Sequence, residues 1–167
     1  MNKHKFLAMA ISALFLVTAC KKSDVQHEDS TATGTNAAWQ WKSLSNWSSE
    51  TGEETTVYST TIEDPAITAD IAANGMVIVV KNSGSGITAM PYEEAVSGGS
   101  YSWFYQIAEG SLTIQAEVSG NASAPATGQG VHYFILTADK LKALDSKGHS
   151  KEELMKLSFE NAQAILK

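Results

Sequence analysis

Apolar and polar residues follow three different patterns along the chain, and each predicts a different kind of segment. Phe6 to Val17 is an almost unbroken apolar run behind a short basic head, Lys3 to Lys5. Met76 to Val80 is apolar throughout, which is typical of a strand buried on both faces. Ser100 to Ala108 alternates residue by residue and predicts a strand with two different faces.

Short strands separated by glycine-rich turns are expected across residues 39–137. About six or seven of them predict a mainly β domain, either an antiparallel β-sandwich or a partly open barrel. The clearest runs are Glu54 to Ile62, Met76 to Val80, Ile87 to Tyr92, Ser100 to Ala108, Ser111 to Val118 and Val131 to Leu136.

Helical signals interrupt and follow this β domain. Asp64-Pro65 suggests an N-cap and first turn for a short interleaved helix that ends at Asn74-Gly75. Ser150 to Glu153 forms a capping box, and Ser158 can cap a last helix. Residues 138–167 are therefore predicted to be a helical C-terminal appendage, and the class is α+β if the helices are counted.

The first residues carry the pattern of an export signal. A basic head, an apolar core shorter than ~15 residues and a small-residue end distinguish it from a membrane span. Val17-Thr18-Ala19-Cys20 resembles a bacterial lipobox. That resemblance implies a signal peptide over residues 1–19, cleavage before Cys20, and palmitate-type diacyl or triacyl modification of its thiol. The open alternative is an ordinary cysteine after an uncleaved signal anchor.

Residues 20–38 are expected to be a lipidated, disordered tether, because they are polar and small and can bury little apolar surface. Lys21 follows the cysteine in place of the aspartate that resembles an inner-membrane retention signal. This favours the outer membrane of a Gram-negative envelope, with the periplasmic and surface faces both open. Cys20 is the sole cysteine, so no disulfide can form within the chain, and lipidation leaves no thiol nucleophile.

Charge narrows the possible partners. All twelve basic residues are lysine, and removing Lys3 and Lys5 with the signal changes the formal net charge from −6 to −8. Arginine is the preferred side chain for bidentate phosphate recognition, and no basic patch is present. A nucleic-acid partner is therefore not expected.

A set of short matches resembles a family of Bacteroidetes-type exported lipoprotein domains that has no assigned activity. The similarity extends from Trp39 to about Leu136. It is carried by Trp47 and Tyr58, Pro65 to Ile71, Gly75 and the apolar strand after it, Met90-Pro91-Tyr92, Tyr101-Ser102-Trp103 and Gly110-Ser111-Leu112. The resemblance supports export and a small β domain, and it transfers no catalytic or binding residue.

The strongest candidate for ligand contact is aromatic. Tyr101, Trp103 and Tyr105 form a row on one strand face, which Trp39, Trp41 and Trp47 could join. Such rings dominate buried area in sandwiches, so the row is expected to be core. The alternative is that it stacks on the apolar faces of a glycan.

The polar residues of the chain show only weak signatures of catalysis or metal binding. Asp64, Asp70 and the adjacent Glu93 and Glu94 show no spacing diagnostic of a glycosidase or a calcium loop, and the last two are expected to be solvated. His132 is expected to be a structural strand residue. No catalytic residue, cofactor or metal is predicted.

Two hypotheses about the function of this protein follow. The first is a non-enzymatic, lipid-anchored envelope protein that binds another envelope protein or acts structurally. The alternative is a glycan-binding β-sandwich that uses the aromatic strand face, and an enzyme ranks third.

Overall fold

Nine strands and four short helices make up the part of the chain that the computed structural model describes, residues 38–83 and 86–166. The predictions for the signal peptide, for Cys20 and for the tether up to residue 37 lie outside these residues.

The strands fall into two antiparallel sheets. In chain order they are β1 (Gln40–Ser43), β2 (Ser48–Thr51), β3 (Thr56–Glu63), β4 (Met76–Ser83), β5 (Gly86–Ala89), β6 (Tyr92–Val96), β7 (Gly99–Ala108), β8 (Ser111–Gly120) and β9 (Gly130–Leu136). The first sheet has the order β1-β9-β4-β5, and the second has the order β2-β3-β8-β7-β6. Because these two sheets do not close into a barrel, the predicted mainly β sandwich is confirmed.

The helices are α1 (Ala69–Asn74), α2 (Ala138–Asp145), α3 (Lys151–Leu154) and α4 (Phe159–Leu166). Ser150 caps α3 by accepting a hydrogen bond from the Glu153 amide at 3.2 Å, as its capping box predicts. Ser158 accepts from the Asn161 amide at 3.3 Å at the start of α4, so both predicted caps are confirmed.

Strand β4 lies between two apolar layers, which explains its unbroken apolar sequence. Val77 and Val79 face the second sheet and join the core between the sheets. Met76, Ile78 and Val80 face the other way and pack with buried residues of α2, α3 and α4. The molecule is thus a β-sandwich with a helical layer on the outer face of one sheet.

The chain crosses between the sheets at both lateral edges of the sandwich. Leu44, on the short link from β1 to β2, is fully buried, and Met90, between β5 and β6, is 2 % exposed. The predicted strand Ile87 to Tyr92 is therefore wrong in its extent. It is two strands in different sheets, separated at Met90-Pro91.

The start of α1 also differs from the prediction. Thr68, and not Asp64, is the N-cap, and its hydroxyl accepts from the Ile71 amide at 3.3 Å. Asp64 instead closes a turn by accepting from the Ala66 amide at 2.9 Å. The helix consequently begins at Ala69, several residues after Pro65.

Candidate functional site

The predicted aromatic row lies in the core between the sheets. Trp103 is 1 % exposed, Tyr101 is buried and Tyr105 is partly buried. The Tyr101 hydroxyl donates to the carbonyl oxygen of Ser123 at 2.8 Å, and that of Tyr105 donates to the carbonyl of Val77 at 2.6 Å. These rings are covered by protein, and this strand face offers no stacking surface to a glycan.

The remaining tryptophans of the early cluster have different environments. Trp47 packs against Trp103, with ring centroids 6.1 Å apart, and Trp39 packs edge-on against Phe159 of α4 at 4.9 Å. Trp41, on β1, is 56 % exposed. Three of the four indoles therefore contribute to packing, and Trp41 lies at the surface.

A buried lysine lies beside the aromatic row. Lys81 follows Val77 and Val79 in the inward-facing phase of β4, and only 1 % of it is exposed. Its Nζ lies 3.5 Å from Oε2 of Glu94, which projects from β6 of the facing sheet. The same Nζ lies 4.2 Å from the centroid of the Trp103 ring. The lysine and the glutamate thus form an ion pair between the two sheets.

Further hydrogen bonds fix this pair. The Trp103 Nε1 donates to Glu94 Oε2 at 3.0 Å, and Lys81 Nζ donates to the carbonyl of Asn82 at 3.1 Å. The Tyr92 hydroxyl donates to Glu94 Oε2 and accepts from Lys81 Nζ, both at 3.5 Å. The charged atoms of the ion pair thereby share polar partners inside the sandwich.

Burial dominates the electrostatics of this cluster. Loss of water lowers the pKa of Lys81 from its ordinary value, and attraction to Glu94 opposes that shift. Burial raises the pKa of the Tyr92 hydroxyl, and the Glu94 charge raises it further. Protein covers the Lys81 amine and Glu94 pairs with it, so this arrangement links the two sheets.

Next to this cluster, a groove of about 750 Å³ opens at the surface. One wall is the strand β5 with Pro91 and Tyr92, and the other is α3 and the link 155–158 that joins it to α4. Tyr92 therefore contacts both the groove and the buried ion pair. We call this feature the β5 groove, and it is the candidate binding site of the described residues.

The other predicted polar candidates do not converge on it. Asp64 accepts from the Tyr133 hydroxyl at 2.7 Å inside the core, and Asp70 accepts from the side-chain Nδ2 of Asn74 at 2.7 Å on the α1 surface. Glu93 is exposed, and His132 is partly buried against Phe159, at 5.3 Å between ring centroids. Asp64 and His132 therefore have structural positions, whereas Asp70 and Glu93 lie at the surface.

The prediction for Glu94 was wrong. It was expected to be solvated beside a turn, but it belongs to β6, where Tyr92, Glu94 and Val96 alternate inward. Its partner Lys81 lies one residue beyond the predicted end of the apolar strand. One signal in the sequence could have revealed this pair: each strand has a charged residue at an inward-facing position, Lys81 in β4 and Glu94 in β6.

Within residues 38–83 and 86–166, no group of three or more His, Cys, Asp or Glu side chains is arranged to hold a metal ion. None of the described helices has the length and apolar character needed to span a bilayer. Comparison with protein-family models, with curated proteins and with solved structures found no match to this chain.

Proposed function

We propose that this protein is a lipid-anchored component of the bacterial envelope, held at the outer membrane through Cys20. The observation that carries the proposal is the order of the first twenty residues: a basic head, a short apolar core and Val17-Thr18-Ala19-Cys20. Several acyl chains on one cysteine give essentially permanent membrane attachment, whereas one chain gives only marginal binding.

The folded part is, in this proposal, a non-enzymatic binding or structural module. The most conspicuous titratable pair, Lys81 and Glu94, supports this because both side chains are engaged with protein partners between the sheets. The glycan-binding alternative is not retained on Tyr101, Trp103 and Tyr105, because their environment is the core.

Metabolic labelling with a palmitate analogue tests the anchor. The wild-type chain is expected to incorporate the label and to fractionate with membranes, and Cys20→Ser is expected to lose the label. Ser23→Ala, three residues away, is the matched control and should behave as the wild type. An unlabelled wild-type chain, or a Cys20→Ser chain that keeps the label, would contradict the proposal.

A further inference from the structure

The outer strand β5 carries backbone amides that its own sheet does not use. Among the described strands, β5 pairs with β4 and ends the sheet. The Met90 amide, directly after β5, donates to the carbonyl of Val79 at 2.9 Å. Backbone amides of an extended chain point alternately to opposite sides. The amide of Thr88 therefore points toward β4, and those of Ile87 and Ala89 point away from it.

The β5 groove runs along this free edge. Ile87, Thr88 and Ala89 are consecutive, and all three line it. Neighbouring side chains of a strand project to opposite faces, so a groove lined by three in succession follows the edge of the strand and not one face. The outward amides of Ile87 and Ala89 thus face a space of about 750 Å³.

The opposite wall provides apolar contacts without closing the edge. It is the link between α3 and α4, where Met155 is 38 % exposed and Leu157 is partly buried. An extended segment in the groove can pair its backbone with β5 and place alternate side chains against this wall, as in strand addition to a sheet edge. With four residues in β5, about four residues of a partner can pair.

The net charge of the protein favours one kind of segment. The groove lining itself is balanced, with one acid, Glu152, and one base, Lys156. The whole chain has a formal net charge of −6. This negative charge attracts a basic segment and repels a second copy of the same chain.

We infer that the β5 groove binds an extended, basic peptide segment of another envelope protein, which adds as a strand to the free edge of β5. The inference rests on the proposed function for the class of partner. Its physical basis, the outward amides and the groove beside them, is independent of the lipid anchor.

Fluorescence anisotropy with two labelled hexapeptides tests the inference on the full chain purified in non-ionic detergent. The probes are Lys-Val-Lys-Val-Lys-Val and Glu-Val-Glu-Val-Glu-Val, which share an extended apolar face and differ in charge. The basic probe is expected to bind, and the acidic probe to bind at least about tenfold more weakly. Failure of the basic probe to bind, or equal binding of both, would overturn the inference.

Two substitutions at one position isolate the backbone amide. Ala89→Pro removes an outward N–H and is expected to weaken the basic probe by about tenfold or more, whereas Ala89→Ser keeps the N–H and should bind as the wild type. Ile87→Pro removes the second outward amide and should act in the same way. If folded Ala89→Pro and Ile87→Pro both bind normally, the partner does not pair with β5.

A photo-crosslinking residue at Thr88 in living cells then identifies the occupant. An adduct with another protein that disappears in Ala89→Pro is the expected result. An adduct with a second copy, or a crosslink to residues 20–37 of the same chain, would replace the inferred partner. Because the peptide assay uses purified protein, its failure leaves the palmitate result intact, and loss of the palmitate label leaves the peptide result intact.

Discussion

Lys81 and Glu94 place opposite charges between two sheets whose shared core is mainly apolar. Removing one member of a buried ion pair typically costs ~3–5 kcal/mol, because the other charge stays buried without its partner. Replacing both members by uncharged groups costs much less. The loss of one charge and the loss of both are therefore expected to change the stability of the fold by different amounts.

We predict that Glu94→Gln lowers the free energy of unfolding by about 3 kcal/mol, because it leaves the Lys81 ammonium buried beside a neutral amide. Lys81→Met should cost less, since Glu94 keeps the Trp103 and Tyr92 donors. Combining Lys81→Met with Glu94→Gln should recover most of the lost stability. Urea unfolding of the four proteins measures the coupling, and a double variant no more stable than Glu94→Gln would contradict it.

The Tyr133 hydroxyl belongs to a second buried hydrogen-bond network, whose contribution to the stability of the fold depends on pH. Its hydroxyl donates to Asp64 at 2.7 Å, and the side-chain oxygen of Gln40 lies 3.0 Å from the same hydroxyl. Burial, and then the bond to Asp64, raise the pKa of Tyr133 above its ordinary value. The folded state therefore keeps this proton longer than the unfolded state, so its contribution is complete below about pH 10 and is lost above it.

We predict that Tyr133→Phe lowers stability by ~1–3 kcal/mol at neutral pH, because Asp64 loses a buried donor. The variant should also lose less additional stability than the wild type above about pH 10. Tyr92, Tyr101 and Tyr105 also have raised pKa values, so some alkaline loss remains, and the lowered pKa of Lys81 acts in the opposite direction. Unfolding curves at pH 8 and pH 11 test this, and parallel losses in both proteins would refute it.

At the scale of elements, the strands with an apolar period were predictable. The alternation of Tyr101, Trp103 and Tyr105 identifies β7, and Leu112, Ile114 and the residues after them identify β8. β1 and β2 were missed because Gln40–Ser43 and Ser48–Thr51 are short and largely exposed, so neither has a buried face to leave a pattern. Their pairing with β9 and β3 is set by tertiary contacts.

The passage of the chain from one sheet to the other at Met90-Pro91 also could not be predicted from the sequence. Proline marks where a strand can end, but it does not specify which sheet the next strand joins. That switch creates β6 and turns Glu94 inward, and it places β5 at an outer edge. The fold class was predictable from periodicity, whereas the ion pair and the β5 groove depend on this one change of direction.

Packing of the helical layer on the first sheet contributes to the stability of the fold, and substitutions at two neighbouring residues of this layer test that contribution. Leu154 is fully buried against the outer face of the first sheet, and Met155 beside it is 38 % exposed. We predict that Leu154→Ala lowers the free energy of unfolding by ~2–5 kcal/mol, whereas Met155→Ala changes it by less than about 0.5 kcal/mol. Thermal and urea unfolding measure both, and an equal effect would show that α3 does not pack as described.

At the scale of the whole molecule, the described fold is stabilised without a covalent crosslink. Cys20 is the sole cysteine, and it lies outside the described residues. Two apolar clusters, one between the sheets and one under the helices, stabilise the fold in its place, and both β4 and β9 contribute to each cluster. These two paired strands, with apolar residues on both faces, therefore couple the two clusters into one core.

The lengths of the outer strands bear on how such molecules behave when crowded. β1, β2 and β5 have 4 residues each and β6 has 5, whereas the strands inside the sheets have 7 to 10. Long unpaired edges recruit other chains into open-ended aggregates. Anchoring by lipid confines a protein to two dimensions and raises its local concentration. Edges of this length can pair with one short segment but offer too few backbone groups to extend a stack of chains. For the lipid-anchored protein that we propose, this property favours molecules that stay dispersed on the membrane.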